Sequence, residues 1–253
     1  VLVVGEDVEE QLEPYQENNM GDCPREYLEF EVQVAKKDFV KECNKIVEEM
    51  KDKAIYEVWL QEKNYKRILT EYHGGEFYKG DLGYWSNPDA RWDWYHIGGR
   101  WAGTFILKPT MTGYFGEKSW GFKEENPYER KDSFKRCDQA RKKDIDFKAM
   151  QNDKKEIEIL EKNWEEVISG KGFYKPEYFL KRYKTKKNYI KQESLFYTHA
   201  VLNEEWYESE TMGWFGCSSE TEDESNKWQL EFFDTFIKPL KPDTLLTIVD
   251  CHI

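Results

Sequence analysis

An α+β fold is what this sequence predicts, and three observations lead there. Apolar, strand-forming runs stand near both ends, at residues 1–4 and 245–249, each bounded by turn or polar residues. Helical spacing of apolar side chains recurs in the interior, at Phe39, Val40, Cys43, Ile46 and Val47 and again at Trp228, Phe232, Phe236 and Leu240. Between them, over 73–121, Gly and Trp crowd in and long apolar runs disappear, which suits hairpins and shaped loops. The first and last strands are therefore expected in one central mixed or antiparallel sheet, with a ferredoxin-like core carrying insertions as the specific form. No repeat or internal boundary is visible, so 1–253 reads as a single domain with a Gly/Trp-rich segment at 73–121 and a charged helical segment at 132–191.

Each element follows from local pattern. Residues 1–4 stop at Gly5 as a buried strand entering a turn; no phosphate-loop motif follows, and Glu6, Asp7, Glu9 and Glu10 would repel a phosphate. Turn formers fill 18–24, and 27–34 alternates as an extended segment. A helix is expected over 37–53, a short strand over 56–60, and 65–72 is open between the two types. Asn87 and Pro88 turn, 92–97 is extended, Gly98 and Gly99 turn, and 101–108 is expected as a strand up to Pro109. Two helices are expected over 134–141 and 147–168, the second with Ile157, Leu160, Trp164, Val167 and Ile168 on one face and Gly170 and Gly172 beyond its end. Pro176 suits the first turn of a helix running through 183. A strand pair over 194–207 turns at Asn203 and Glu204, 212–226 reads as a loop, and a helix over 225–240 is stopped by Pro239 and Pro242. The last strand runs into Asp250, Cys251 and His252.

Composition narrows the function classes. Aliphatic residues are scarce but aromatics reach 16%, so Trp, Tyr and Phe are expected to fill the core. A formal net charge of -12 removes the footprint of a duplex-nucleic-acid binder. The acidity serves solubility, or it docks the protein on a basic groove of a partner. Lys181, Arg182, Lys184, Lys186, Lys187 and Lys191 form the one strong basic cluster, a solvated face or an anion contact that steers a ligand inward. Five cysteines, with no CxxC or His-Cys spacing, read as reduced thiols in the cytoplasm. Neither a membrane-length apolar run nor a signal peptide is present, so a soluble, non-secreted protein is expected, with oligomerisation open. The chain opens at Val1 without Met and inside a predicted strand, so preceding residues are expected.

The densest chemistry lies in Trp92, Asp93, Trp94, Tyr95, His96, Ile97, Gly98, Gly99, Arg100 and Trp101. Two readings stand side by side: aromatics filling a core around a Gly-Gly turn, or a pocket whose flat side chains stack on a ligand while Arg100 forks onto a phosphate or carboxylate. Strand alternation lets Trp92 share a face with Trp94, or Asp93 with Tyr95, but not all at once. His199 and His252, near two strand ends, are the candidate general acid and base of a phosphodiester hydrolase. The usual hydroxyl two positions after each His is missing, since Val201 follows His199 at that offset. Asp250 with His252, and Asp93 with His96, match no known metal spacing, and no serine or cysteine nucleophile signature occurs. No metal or cofactor is therefore expected.

Several blocks resemble a family of bacteriophage and prophage proteins that has no assigned activity. They are Val3-Val4-Gly5-Glu6-Asp7 through Glu10-Gln11-Leu12-Glu13-Pro14-Tyr15-Gln16-Glu17-Asn18, Tyr84-Trp85-Ser86-Asn87-Pro88, the block from Trp92 to Tyr95 and Gly98 to Trp101, Asp138-Gln139-Ala140-Arg141, Thr198-His199-Ala200-Val201 and Val249-Asp250-Cys251-His252. Between Glu29 and Gly80 this chain is shorter than the family pattern. The resemblance implies a host-cell cytoplasmic protein that manipulates its host. The leading expectation is a counter-defence protein that sequesters a small anionic, nucleotide-like ligand at Trp92–Trp101. The alternatives are an acidic inhibitor of a host defence protein and a nucleotide hydrolase.

Overall fold

The computed structural model describes residues 1–50, 54–118, 135–209 and 221–252, and it is an α+β protein. Where the sequence shows no internal boundary, the contacts divide the chain into two compact units, Val1–Leu12 with Trp94–Ile253, and Glu13–Asp93. No helix among the described residues is long and apolar enough to cross a membrane.

The larger unit begins with strand β1 (Leu2–Val4) and helix α1 (Val8–Leu12). The smaller unit follows, with β2 (Glu29–Val34), α2 (Phe39–Glu49), α3 (Ala54–Gln61), α4 (Tyr65–His73), β3 (Glu76–Tyr78) and β4 (Asp81–Ser86). Its antiparallel sheet, ordered β2-β4-β3, joins the three helices over a core of Val34, Phe39, Cys43, Ile46, Ile68 and Leu82. The expected strand over 56–60 is instead α3. Only Trp59 of that apolar run is buried, with Tyr56 three residues earlier against its ring at 5.2 Å, so a helical face packs where composition alone suited a strand equally well. The open stretch at 65–72 is α4.

The larger unit resumes with β5 (Trp94–Gly99), β6 (Phe105–Ile106), β7 (Glu117–Lys118), β8 (Arg136–Cys137), β9 (Gln139–Arg141), α5 (Phe147–Gln151), α6 (Lys154–Ile168), α7 (Pro176–Tyr183), α8 (Lys186–Glu193), β10 (Ala200–Asn203), β11 (Glu205–Glu208), α9 (Glu222–Phe232) and β12 (Leu245–His252). Three expectations change here. The helix over 134–141 is two short strands; Cys137 and Ala140 carry a helix-like spacing, but each is buried from its own strand with Asp138 at the break. The helix over 147–168 is two helices, because Asp153 takes the Lys155 and Glu156 N–H groups and starts α6 afresh. The strand over 101–108 shrinks to β6, since Trp101 and Ala102 N–H close a turn onto Gly98 and Gly99 O.

Of the loop expected over 212–226, residues up to 220 lie outside the described residues. The rest belongs to α9, which a Thr221–Glu224 capping box opens. The helix continues into a π turn, Phe233–Ile237.

Strand β12 is the axis of the sheet. Along one edge it pairs antiparallel with β1, through Leu2 with Ile248 and Val4 with Leu246. Along the other, its first half pairs with β9 and its second half with β5. Beyond β1 lie β10, parallel to it, and β11 in a hairpin, so both terminal strands share one mixed, seven-stranded sheet. The parallel β1–β10 pair departs from a ferredoxin-like sheet, whose neighbouring strands run antiparallel. Leu2, Phe105, Val201, Phe232, Ile237 and Leu246 seal the core beneath, each burial contributing about 1.5–3 kcal/mol against the exposed state.

Candidate functional site

The Gly-Gly-Arg turn lies where β5 leaves β12. Gly98 and Gly99 have φ of +82° and +52°, and both are buried against carboxylates. A Cβ on Gly98 would lie 2.6 Å from Asp138 Oδ2, and one on Gly99 2.5 Å from Asp250 Cβ. Glycine is therefore required twice, for conformation and for space.

Two carboxylates organise this corner. Asp138, fully buried, accepts hydrogen bonds from the backbone N–H groups of Gly103, Gly116 and Thr104, while its own carbonyl accepts from Ile248 N in β12 at 2.8 Å. Burial pushes its carboxyl above the usual range, against the pull of those three donors. Asp250, with a side chain 2% exposed, accepts from Arg100 N at 2.7 Å, from Nε at 2.9 Å and from Nη2 at 2.6 Å.

The residues expected to form one pocket fall in both units. Trp92 and Asp93 belong to the smaller unit, where Trp92 is buried and its carbonyl accepts from Glu17 N at 2.7 Å. Trp94 opens β5, 40% exposed, stacked on His252 at 4.8 Å and edge-on to His96 at 5.2 Å. Tyr95 is half-buried, and burial raises its phenol. The side chain of Arg100 is 52% exposed, but Asp250 occupies the fork that a ligand anion would use. His199 is exposed beside Tyr197; it and His252 lie toward the same end of the sheet, with β1 between their strands.

Trp101, 53% exposed, lines a cleft of about 900 Å³ in the larger unit. That volume is at the upper end for small-molecule sites. Phe196, Tyr197, Met150 and Leu160 give it an apolar wall. Arg136 and Asp153 also line it as an ion pair, both largely buried, with Arg136 Nη1 also donating to Gly103 O at 3.0 Å. Lys155, Glu156 and Glu193 supply charge of both signs. Comparisons with family models, curated proteins and solved structures give no match. Among the described residues no group of three or more His, Cys, Asp or Glu could hold a metal ion.

Sequence reasoning missed Arg136, Asp153 and the wall from α6. A signal was present: Asp153-Lys154-Lys155-Glu156 has the spacing of a capping motif, which marks a helix start inside the assumed long helix. Arg136 carried no such mark, because its role depends on Asp153 and Gly103 arriving from elsewhere.

Proposed function

We propose that this protein binds a planar, nucleotide-like ligand in the cleft beside Trp101, without a chemical step. The observation that carries the reading is the exposed indole at the edge of a cavity of small-molecule size. An aromatic base stacked on such a ring gains about 1–3 kcal/mol. The mixed charge of the wall suits a ligand with both kinds of polar group: Lys155 toward an anionic group, Glu156 and Glu193 toward the amino edge of a base. The Arg136–Asp153 pair holds the turn at Gly103 and the start of α6 in register with each other. It therefore shapes the cleft without requiring a ligand for its charge. The resemblance to phage proteins makes the captured molecule a nucleotide signal of host defence, and its sequestration in the host cytoplasm a counter-defence activity.

The test exposes purified protein to extracts of infected, defence-bearing cells, then denatures it by heat and identifies released small molecules by mass spectrometry. An intact nucleotide-like molecule, released by the wild type and not by Trp101→Ala, is the expected result. Equal release from both proteins, or none, removes the cleft as the site, and release of a cleaved product replaces binding with catalysis.

A further inference from the structure

The basic run on α7 and α8 carries a feature that the cleft does not use. Between Ser169 and Gln192 there are eight basic residues and one acidic residue, Glu177, in a chain whose net charge is -12. These cations are not equivalent. Lys186 lies 3.0 Å from Glu165 and 3.7 Å from Glu161 of α6, so its charge is matched within the fold. Arg182, Lys184 and Lys191 instead line a hollow of about 300 Å³ together with Asn188, and among the described residues none of the three makes an ion pair.

Arg182 is held in place. Its Nη1 donates to Tyr178 Oη at 3.0 Å, its guanidinium lies 5.1 Å from the centre of the Tyr183 ring, and its buried Nε has no acceptor among the described residues. Lys184 follows α7 at φ +66°, a helix-ending position that glycine ordinarily occupies, so a lysine stands there against the backbone preference. Three cations line a small concavity; the nearby glutamates of α6 are engaged by Lys186, and Glu193, the carboxylate that acts on Arg182, accepts from Tyr183 Oη at 2.8 Å, so the set suits a tetrahedral oxyanion.

We propose that this hollow is a phosphate-binding site for an oligophosphate or a phosphate ester. It is independent of the cleft reading, although Leu195 lines both cavities. The test is calorimetric titration of the full chain with pyrophosphate at low ionic strength. Saturable one-to-one binding is expected, weakened at least tenfold in Arg182→Gln and in the surface double variant Lys184→Ala/Lys191→Ala, and unchanged in Lys187→Ala. The double variant keeps the test sound if the half-buried Arg182 is needed for folding. Absence of saturable binding overturns the site, and so does an equal loss in Lys187→Ala, which marks diffuse charge. A nucleoside diphosphate distinguishes sources: affinity equal to pyrophosphate assigns the site to phosphate alone. A gain that Trp101→Ala abolishes assigns it to the phosphates of a ligand that also reaches the cleft.

Discussion

The Gly98-Gly99-Arg100 turn and the Trp101 cleft are neighbours in sequence and opposite in the use of their polar groups. In the turn, Asp138 takes three backbone donors and Asp250 takes the backbone and fork of Arg100, so its charges are committed to fixing the loop path. In the cleft, a largely buried ion pair is accompanied by an exposed indole and by Lys155, Glu156 and Glu193 in the wall. A stretch dense in Trp, His, Asp and Arg can therefore be chemistry spent on architecture, while the concave surface it supports carries the binding. Substitution should separate the two: changes in the turn lower stability, and changes in the cleft alter binding.

The largest expected effect is in the turn. Gly98→Ala combines a φ of +82° with a Cβ 2.6 Å from Asp138 Oδ2, and Asp138 is itself fixed by its three donors. Adding the cost of the backbone conformation to that of overpacking predicts a loss of about 4 kcal/mol. It would be read from the urea midpoint at unchanged slope. A loss below 1 kcal/mol would mean that the turn relaxes freely, and the contrast with the cleft would weaken.

Asp138→Asn comes next. The amide can still accept, but its NH₂ replaces one oxygen and faces a backbone donor, so a loss of about 2 kcal/mol is expected. The pH dependence has a definite sign. Burial raises this carboxyl, so between the ordinary aspartate value and the raised one the folded state holds a proton that the unfolded state has lost. Stability from this group therefore falls as pH rises through that window. The advantage of wild type over Asp138→Asn should shrink across the same window in paired denaturation curves. An advantage that grows with pH would contradict the raised value.

What was legible in the sequence follows the range of the forces involved. The apolar termini announced β1 and β12, helical spacing announced α2, and Pro176 announced α7, because each signal lies within a few residues of its effect. A turn near Gly98 and Gly99 was legible for the same reason, although both glycines end strand β5 and the turn itself follows them at Arg100. The strands around Asp138 were not, since a carboxylate whose partners come from residues 103, 104 and 116 resembles an ordinary charged helix position in a linear reading. Arg100 was misleading for a related reason: its acceptor is 150 residues away, on the last strand. The α3 segment failed through ambiguity of period, a short apolar run fitting strand and helix alike.

The smallest effect on stability, and the sharpest on the comparison, belongs to Trp101→Ala. More than half of this residue's surface is exposed, and its backbone N–H already serves the turn through Gly98 O, a bond that alanine keeps. Stability should therefore change by no more than about 0.5 kcal/mol. Removing one stacking face should weaken the ligand of the cleft by about 1–3 kcal/mol, roughly 5- to 150-fold. Thermal denaturation and ligand titration on the same preparation decide the matter together. A large stability loss with no change in binding would place Trp101 with the architecture of the turn, and the line between the two regions would then have to be drawn after residue 101 instead of before it.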